Sequence, residues 1–222
     1  MRSIFVLVFI AYAVTVTAQK KVVNYGSLTG SLGNSEGSLA VDFFHLWKLG
    51  KAGKIEAGFG ARVSAYFGSD QYYSSAPANL AGDDAKSDSV KFSRAQVNAF
   101  NLAINFGYRI STRLGLGLNI DAFGFSFGGQ QSGIYIAGNQ SQNTTAKPTS
   151  FNVLLVGNND HGMLNSEFYA RYFFSEKLAV KVAFQYLFTE YTSDAEVQQQ
   201  PESNDRFRNK SGMFSLGITK QF

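Results

Sequence analysis

Residues 55–67 alternate without a break: Ile55, Ala57, Phe59, Ala61, Val63, Ala65 and Phe67 take the odd positions, and Glu56, Gly58, Gly60, Arg62, Ser64 and Tyr66 the even ones. Successive side chains of an extended strand point to opposite faces, so a period of two held this long specifies a strand with one apolar and one polar face. Soluble strands average about 5–6 residues. A run of roughly a dozen is the length that crosses a bilayer at a tilt.

The pattern recurs along the chain. Phe100, Leu102, Ile104, Phe106 and Tyr108 oppose Asn101, Asn105, Gly107 and Arg109. After a turn at Ser111-Thr112, Leu114, Leu116, Leu118 and Ile120 oppose Gly115, Gly117, Asn119 and Asp121, which predicts a hairpin. Phe168, Ala170, Tyr172 and Phe174 alternate with Glu167, Tyr169, Arg171 and Phe173. Leu178, Val180, Val182, Phe184 and Tyr186 alternate with Ala179, Lys181, Ala183 and Gln185, and the last strand carries Phe214, Leu216, Ile218 and Phe222 on one face. Two less regular stretches, residues 22–32 and 38–49, bring the number to eight, and bacterial barrels are even-numbered. In residues 38–49 neither face is cleanly polar, so the facing stays open. A ten-stranded alternative would recruit residues 133–137 and 151–156. Both are shorter than the 9–11 residues of a span and read better as a hairpin above the membrane.

Composition removes other classes. A chain of 222 residues with 22 Gly, 21 Phe, 11 Tyr and no Cys is one domain's worth of Gly- and Phe-rich β protein. Its aromatic content excludes a disordered tail, and its lack of cysteine excludes a disulfide scaffold. A mean hydropathy of -0.10 excludes a polytopic helical membrane protein. The formal charge of +4 comes from scattered residues and gives no nucleic-acid signal.

The first segment has the form of an export signal: Arg2, then an apolar stretch from Ile4 to Val14, then the small residues Val16 and Ala18. The apolar run is short for a membrane helix of about 20 residues. Residues 1–18 are therefore expected to be cleaved, leaving residues 19–222 as an all-β antiparallel up-and-down transmembrane barrel.

Alternation alone does not say which face is outside, because a lipocalin-like soluble barrel inverts the same arrangement. Connections 50–53, 109–113 and 175–177 are short, whereas 68–94, 129–161 and 191–205 are long and polar, as short periplasmic turns and long external loops would be. The polar face, rich in Gly, Asn, Ser, Glu, Arg and Lys, would make a poor dry core and a good lumen. The leader ending at Ala18, the alternating strands and the terminal strand ending in Ile218-Thr219-Lys220-Gln221-Phe222 resemble the small outer-membrane β-barrels of the OmpA/OmpX type. That resemblance implies residence in the outer membrane of a Gram-negative-type bacterium, with outer-membrane lipid around the barrel. It also implies that Phe222 is part of the signal read by the barrel assembly machinery. It is silent on activity.

Candidate chemistry is sparse. Glu56, Arg62, Arg109, Asp121, Glu167, Arg171 and Lys181 would all point into the lumen, where a narrow barrel fills its interior with paired charge; a proton or ion path along them is the alternative. Gln185, on the same face, is expected to meet water or a lumenal carboxylate. His45 and His161 are not at ligand spacing, so no metal and no cofactor is proposed. Asp83-Asp84 and Asp160-His161 faintly resemble the acidic and Asp-His pairs of outer-membrane proteases, which are larger barrels, and no enzyme is assigned. Gly115-Leu116-Gly117 lacks the third Gly of a dinucleotide loop and reads as strand.

One anomaly stands out. Apolar residues occupy even positions through Ala122, after which Phe123, Phe125 and Phe127 take odd ones. A β-bulge near Asp121 would return all three to the lipid face as an aromatic girdle. Without it they would line the lumen and contact an apolar ligand. The expected function is a non-enzymatic barrel with an envelope-structural or surface-interaction role, the alternative being binding or transport of a small hydrophobic ligand.

Overall fold

The computed structural model describes residues 21–155 and 158–222; the expected leader, residues 1–18, lies outside them. Eight antiparallel strands close a ring: β1 (Lys21–Leu32), β2 (Glu36–Leu49), β3 (Ile55–Ser75), β4 (Ser89–Arg109), β5 (Leu114–Phe127), β9 (Leu164–Phe173), β10 (Leu178–Ser193) and β11 (Arg206–Gln221), with β11 returning to pair with β1. Three shorter strands, β6 (Gln131–Ala137), β7 (Gln140–Pro148) and β8 (Phe151–Val153), and one short helix, α1 (Ala78–Ala81), lie at the end opposite the short turns.

The outer surface is apolar. Leu39, Val41, Phe59, Val63, Phe100, Leu102, Ile104, Phe168, Val182, Phe184, Leu216 and Ile218 are all exposed, while Asp42, Glu56, Arg62, Asn101, Asn119, Asp121, Glu167, Arg171 and Lys181 are buried. A barrel with its charges inside and a continuous belt of large aliphatic and aromatic side chains outside is dressed for lipid. It is a transmembrane barrel. The facing of β2, open in the sequence, is also fixed: Ser38, Ala40, Asp42, Phe44 and Leu46 point inward. Phe44 and Leu46 pack there with Val23, Tyr25 and Phe173, which is why neither face of this strand looked polar.

The turn end is built from tight reversals. Between β2 and β3 the Gly53 N–H donates to the Gly50 carbonyl at 3.0 Å, and both glycines have positive φ (76° for Gly50 and 59° for Gly53), a conformation that a side chain would strain.

At the other end the expected long loops are mostly strand. β3 and β4 run for 21 residues each, well past the apolar belt. Above Asn98, β4 exchanges β5 for β6, pairing Phe92 with Gly133 and Ser89 with Ile136. β6 pairs with β7, β7 pairs with β10 at Tyr191–Ser193, and β11 leaves β1 to pair Phe207 and Arg208 with Ser75 and Ser74 of β3. Strands β3, β4, β6, β7, β10 and β11 thus close a second, narrower ring on top of the first. The hairpin expected from residues 133–137 and 151–156 is corrected accordingly. Residues 133–137 pair with residues of β7, while β8 adds to the upper edge of β5, because the polar run Gln140–Pro148 is itself a strand.

The parity flip in β5 resolves as a bulge. Leu102 pairs with Phe123 and Ala103 with Asp121, so Ala122 is the extra residue. Phe123, Phe125 and Phe127 are 39%, 52% and 57% exposed on the outer face, and Phe123 and Phe125 pack edge-to-face with Phe151 of β8 at 5.0 and 6.0 Å. The reading of these three as lumenal contacts for an apolar ligand is therefore corrected: the bulge turns them toward lipid.

Candidate functional site

The lumen is the place where the chain concentrates its polar chemistry, and it is filled in three levels. Nearest the turns, Tyr25 of β1 donates to Glu56 Oε1 at 2.9 Å, and Arg109 of β4 reaches Tyr25 Oη (2.6 Å), Gln221 Oε1 (3.0 Å) and Glu56 Oε1 (3.5 Å). The two guanidinium groups at this level lie over aromatic faces: Arg109 sits 4.1 Å from the Phe173 ring centroid and Arg171 4.1 Å from that of Tyr25. Arg171 also donates to Tyr169, whose hydroxyl donates to Asn105 at 3.0 Å. Gly117 makes room for this network, since a Cβ there would collide with the Tyr169 hydroxyl.

In the middle, Arg62 of β3 spans the barrel. Its Nη1 lies 2.7 Å from Asp121 Oδ1, its Nη2 lies 3.7 Å from Glu167 Oε2, and it also donates to Asn119. Asn101 donates to the second Asp121 oxygen at 2.8 Å, and Asn119 to Glu167 at 2.7 Å. Lys181 completes the set at 2.9 Å from Glu167 and 3.5 Å from Asp42. Every charge here faces an opposite charge, and Arg62, Asp121 and Glu167 take further hydrogen bonds from or to the neighbouring amides, the condition under which buried ions persist. The void left among Tyr25, Asp42, Asn119, Tyr169 and Lys181 is about 10 Å³, the size of a single water site. All seven charged residues singled out in the sequence thus lie in these two levels. Asp42 was not among them, because the facing of its strand was ambiguous.

The third level is apolar. Tyr66, Tyr73, Val90, Phe92, Val97, Met163, Leu187, Tyr191, Phe207 and Met213 form one buried cluster that begins at the top of the eight-stranded ring and continues into the upper one. Tyr73, Phe92 and Tyr191 pack with centroids 4.6–5.2 Å apart, Tyr73 meeting the other two rings edge to face. The two tyrosine hydroxyls are satisfied, Tyr73 by Thr189 Oγ1 at 3.0 Å and Tyr191 by the Gln96 backbone. Gln185 has no open water before it: it is buried and accepts hydrogen bonds from Ser31 and Ser38.

A further ionic site lies outside the upper ring. Glu190 of β10, fully buried, receives Arg206 at 2.9 Å and Arg208 at 2.8 Å, and both arginines donate to the Asp160 carbonyl in the connection between β8 and β9. Beside it, His161 bridges to Val153. Burial, then the neighbouring Arg206, hold the His161 imidazole below its ordinary range. Asp160 gives its carboxylate to the Leu155 N–H, and Asp83 pairs with Lys86 at 3.2 Å in another loop, so no acid-His dyad assembles from them. His45 sits on the outer face, bonded to Asn24 at 2.8 Å. Among the described residues no group of three His, Cys, Asp or Glu could hold a metal ion.

No protein-family model and no curated protein matches the chain. Among solved structures it is similar to the N-terminal β-barrel domain of OprF from Pseudomonas aeruginosa (11% identity, 91% of this chain and 98% of that one, TM-score 0.40). It is also similar to Neisserial surface protein A (9%, 90% and 96%, 0.37) and to a major outer membrane protein from Thermus thermophilus (10%, 90% and 99%, 0.34). The architecture itself is carried by the strand pairing and surface of this chain.

Proposed function

We propose that this protein is a non-enzymatic outer-membrane barrel of a Gram-negative-type bacterium that conducts nothing. Its eight-stranded segment anchors, and its six-stranded segment holds rigidly above the membrane, a polar surface for contact with the surroundings or for support of the envelope. The observation that carries this reading is the filled lumen: two ionic levels whose void beside Tyr169 and Lys181 is about 10 Å³, capped by a packed aromatic cluster. The exposed upper surface is amide-rich, including a cleft of about 590 Å³ beside Asp88, Tyr135, Gln140, Gln142 and Gln199. Transport of an apolar ligand loses its entry site, since Phe123, Phe125 and Phe127 face outward. Phe222, whose N–H closes onto the Asn24 carbonyl at 3.0 Å while its ring stays exposed, is proposed as the contact for the assembly machinery.

Reconstitution into planar bilayers tests the central claim. Folded protein should give no discrete conductance steps at any applied voltage; regular single-channel openings would refute it.

A further inference from the structure

The two ends of the barrel differ in charge. At the loop end Asp84, Asp194, Glu196 and Glu202 are exposed among the basic residues. At the turn end the exposed charges are Lys51, Lys54, Arg113, Lys177 and Lys220, drawn from three different turns and the last strand. Among the described residues at that end, the one exposed acidic side chain is Glu176. None of the five cations forms an ion pair with a described residue. Glu56, the nearest lumenal carboxylate, is buried and committed to Tyr25 and Arg109.

Their position relative to the apolar belt is equally specific. Lys54 precedes exposed Ile55, Lys177 precedes exposed Leu178, Arg113 follows exposed Ile110 by one turn, and Lys220 stands over the ring of exposed Phe222 at 5.0 Å. The cations therefore emerge where the hydrocarbon surface ends, and long basic side chains there lay their stems on apolar surface and lift their charge into the headgroup layer. We propose that this collar binds the phosphates of anionic phospholipids in the leaflet on the turn side. Unpaired cations at headgroup depth, spread over three separate turns and the last strand, fit several individual lipid phosphates better than one discrete ligand. Anionic headgroups attract basic residues held near the membrane surface.

The test uses the folded full-length barrel in phosphatidylcholine vesicles doped with spin-labelled lipid, reading the motionally restricted fraction at the protein surface. Spin-labelled phosphatidylglycerol should be enriched over spin-labelled phosphatidylcholine by about twofold or more. The enrichment should fall at high salt and disappear in the K51Q/K54Q/R113Q/K177Q/K220Q variant. The K177Q/K220Q variant should show an intermediate enrichment, which preserves the comparison if the fivefold variant folds poorly by heat-modifiable gel mobility. Inorganic phosphate at matched ionic strength should leave the enrichment intact. Equal association of the two lipids in the wild type, enrichment undiminished in the folded K177Q/K220Q variant or persisting in the folded fivefold variant, or competition by inorganic phosphate at constant ionic strength would each overturn the proposal.

Discussion

Arg62 and Asp121 meet across the lumen at 2.7 Å, each with 1% of its side chain exposed, although β4 separates their strands on the barrel wall. Removing one partner of such a pair strands the other in a place that water does not reach, and that costs about 3–5 kcal/mol. Arg62→Met should lower stability by that amount in denaturant unfolding from lipid vesicles. A loss within experimental error would mean that Asn101 and the Asn165 N–H suffice to hold Asp121.

Val182 stands mid-strand on the outer face of β10, 54% exposed, next to inward-facing Lys181. Val182→Arg should cost about 2–4 kcal/mol if this position meets the bilayer midplane. Val182→Ala should cost far less. Equal unfolding energies for the two variants would place the apolar belt in water.

The aromatic patch above the Ala122 bulge offers an independent check on facing. Replacing Phe123, Phe125 and Phe127 together with Ser removes the edge-to-face contacts with Phe151 and the rings offered to the membrane interface. The expected outcome is a less stable barrel, measured by unfolding in vesicles, with unchanged weak partitioning of apolar dyes. Loss of saturable dye binding without loss of stability would restore the three rings to the lumen.

His161 makes the upper connection sensitive to acid. Its pKa is lowered in the folded protein, first by burial and then by Arg206. The unfolded chain therefore binds the proton more tightly, and stability falls with falling pH. The amide-exchange protection factors of residues 158–163, corrected for the intrinsic pH dependence of exchange, should be steady above about pH 6.5, the ordinary imidazole value, fall as pH drops below it, and level off beneath the folded-state pKa. His161→Gln should flatten that profile. Persistence of the acid step in the variant would assign it to another group.

Deletion of Phe222 tests its assigned role in assembly. The bond to Asn24 is lost with it, but the paired residues of β11 from Phe214 to Gln221 remain. Export should be unaffected and the yield of heat-modifiable barrel in the outer membrane reduced. Full yield would remove Phe222 from the recognition signal.

The lower barrel was legible because each of its features is local in sequence. Alternation in β3, β4, β9, β10 and β11 reports facing directly, and even the bulge announced itself as a change of parity between Ile120 and Phe123. Where the interior itself is apolar the signal vanishes, as in β2, where Phe44 and Leu46 point inward beside Asp42. The upper ring was not legible for another reason. β6 is short and β7 is polar, and their partners on β4 and β10 are selected by tertiary geometry. Glu190 escaped notice on the same ground: its even position belongs to the outward face of β10, and it is buried only because the Asp160 segment folds across it. Gln185 lies on the expected lumenal face and in register with Glu167, one of the two environments expected for it, while serines from β1 and β2 occupy the space where water was the other.

The exchange of neighbours along β11 constrains how the barrel can come apart. Its first and last strands meet along a seam where Ser27 faces Thr219 and Ser31 faces Ser215. Higher up, the same β11 is bonded past the β1–β2 hairpin to β3. Parting β1 from β11 would leave β11 clasped to β3 above the gap, so that seam can open toward lipid only below Arg208 and cannot unzip along the whole of β11. The hairpin of β1 and β2 is a shutter bolted at its top.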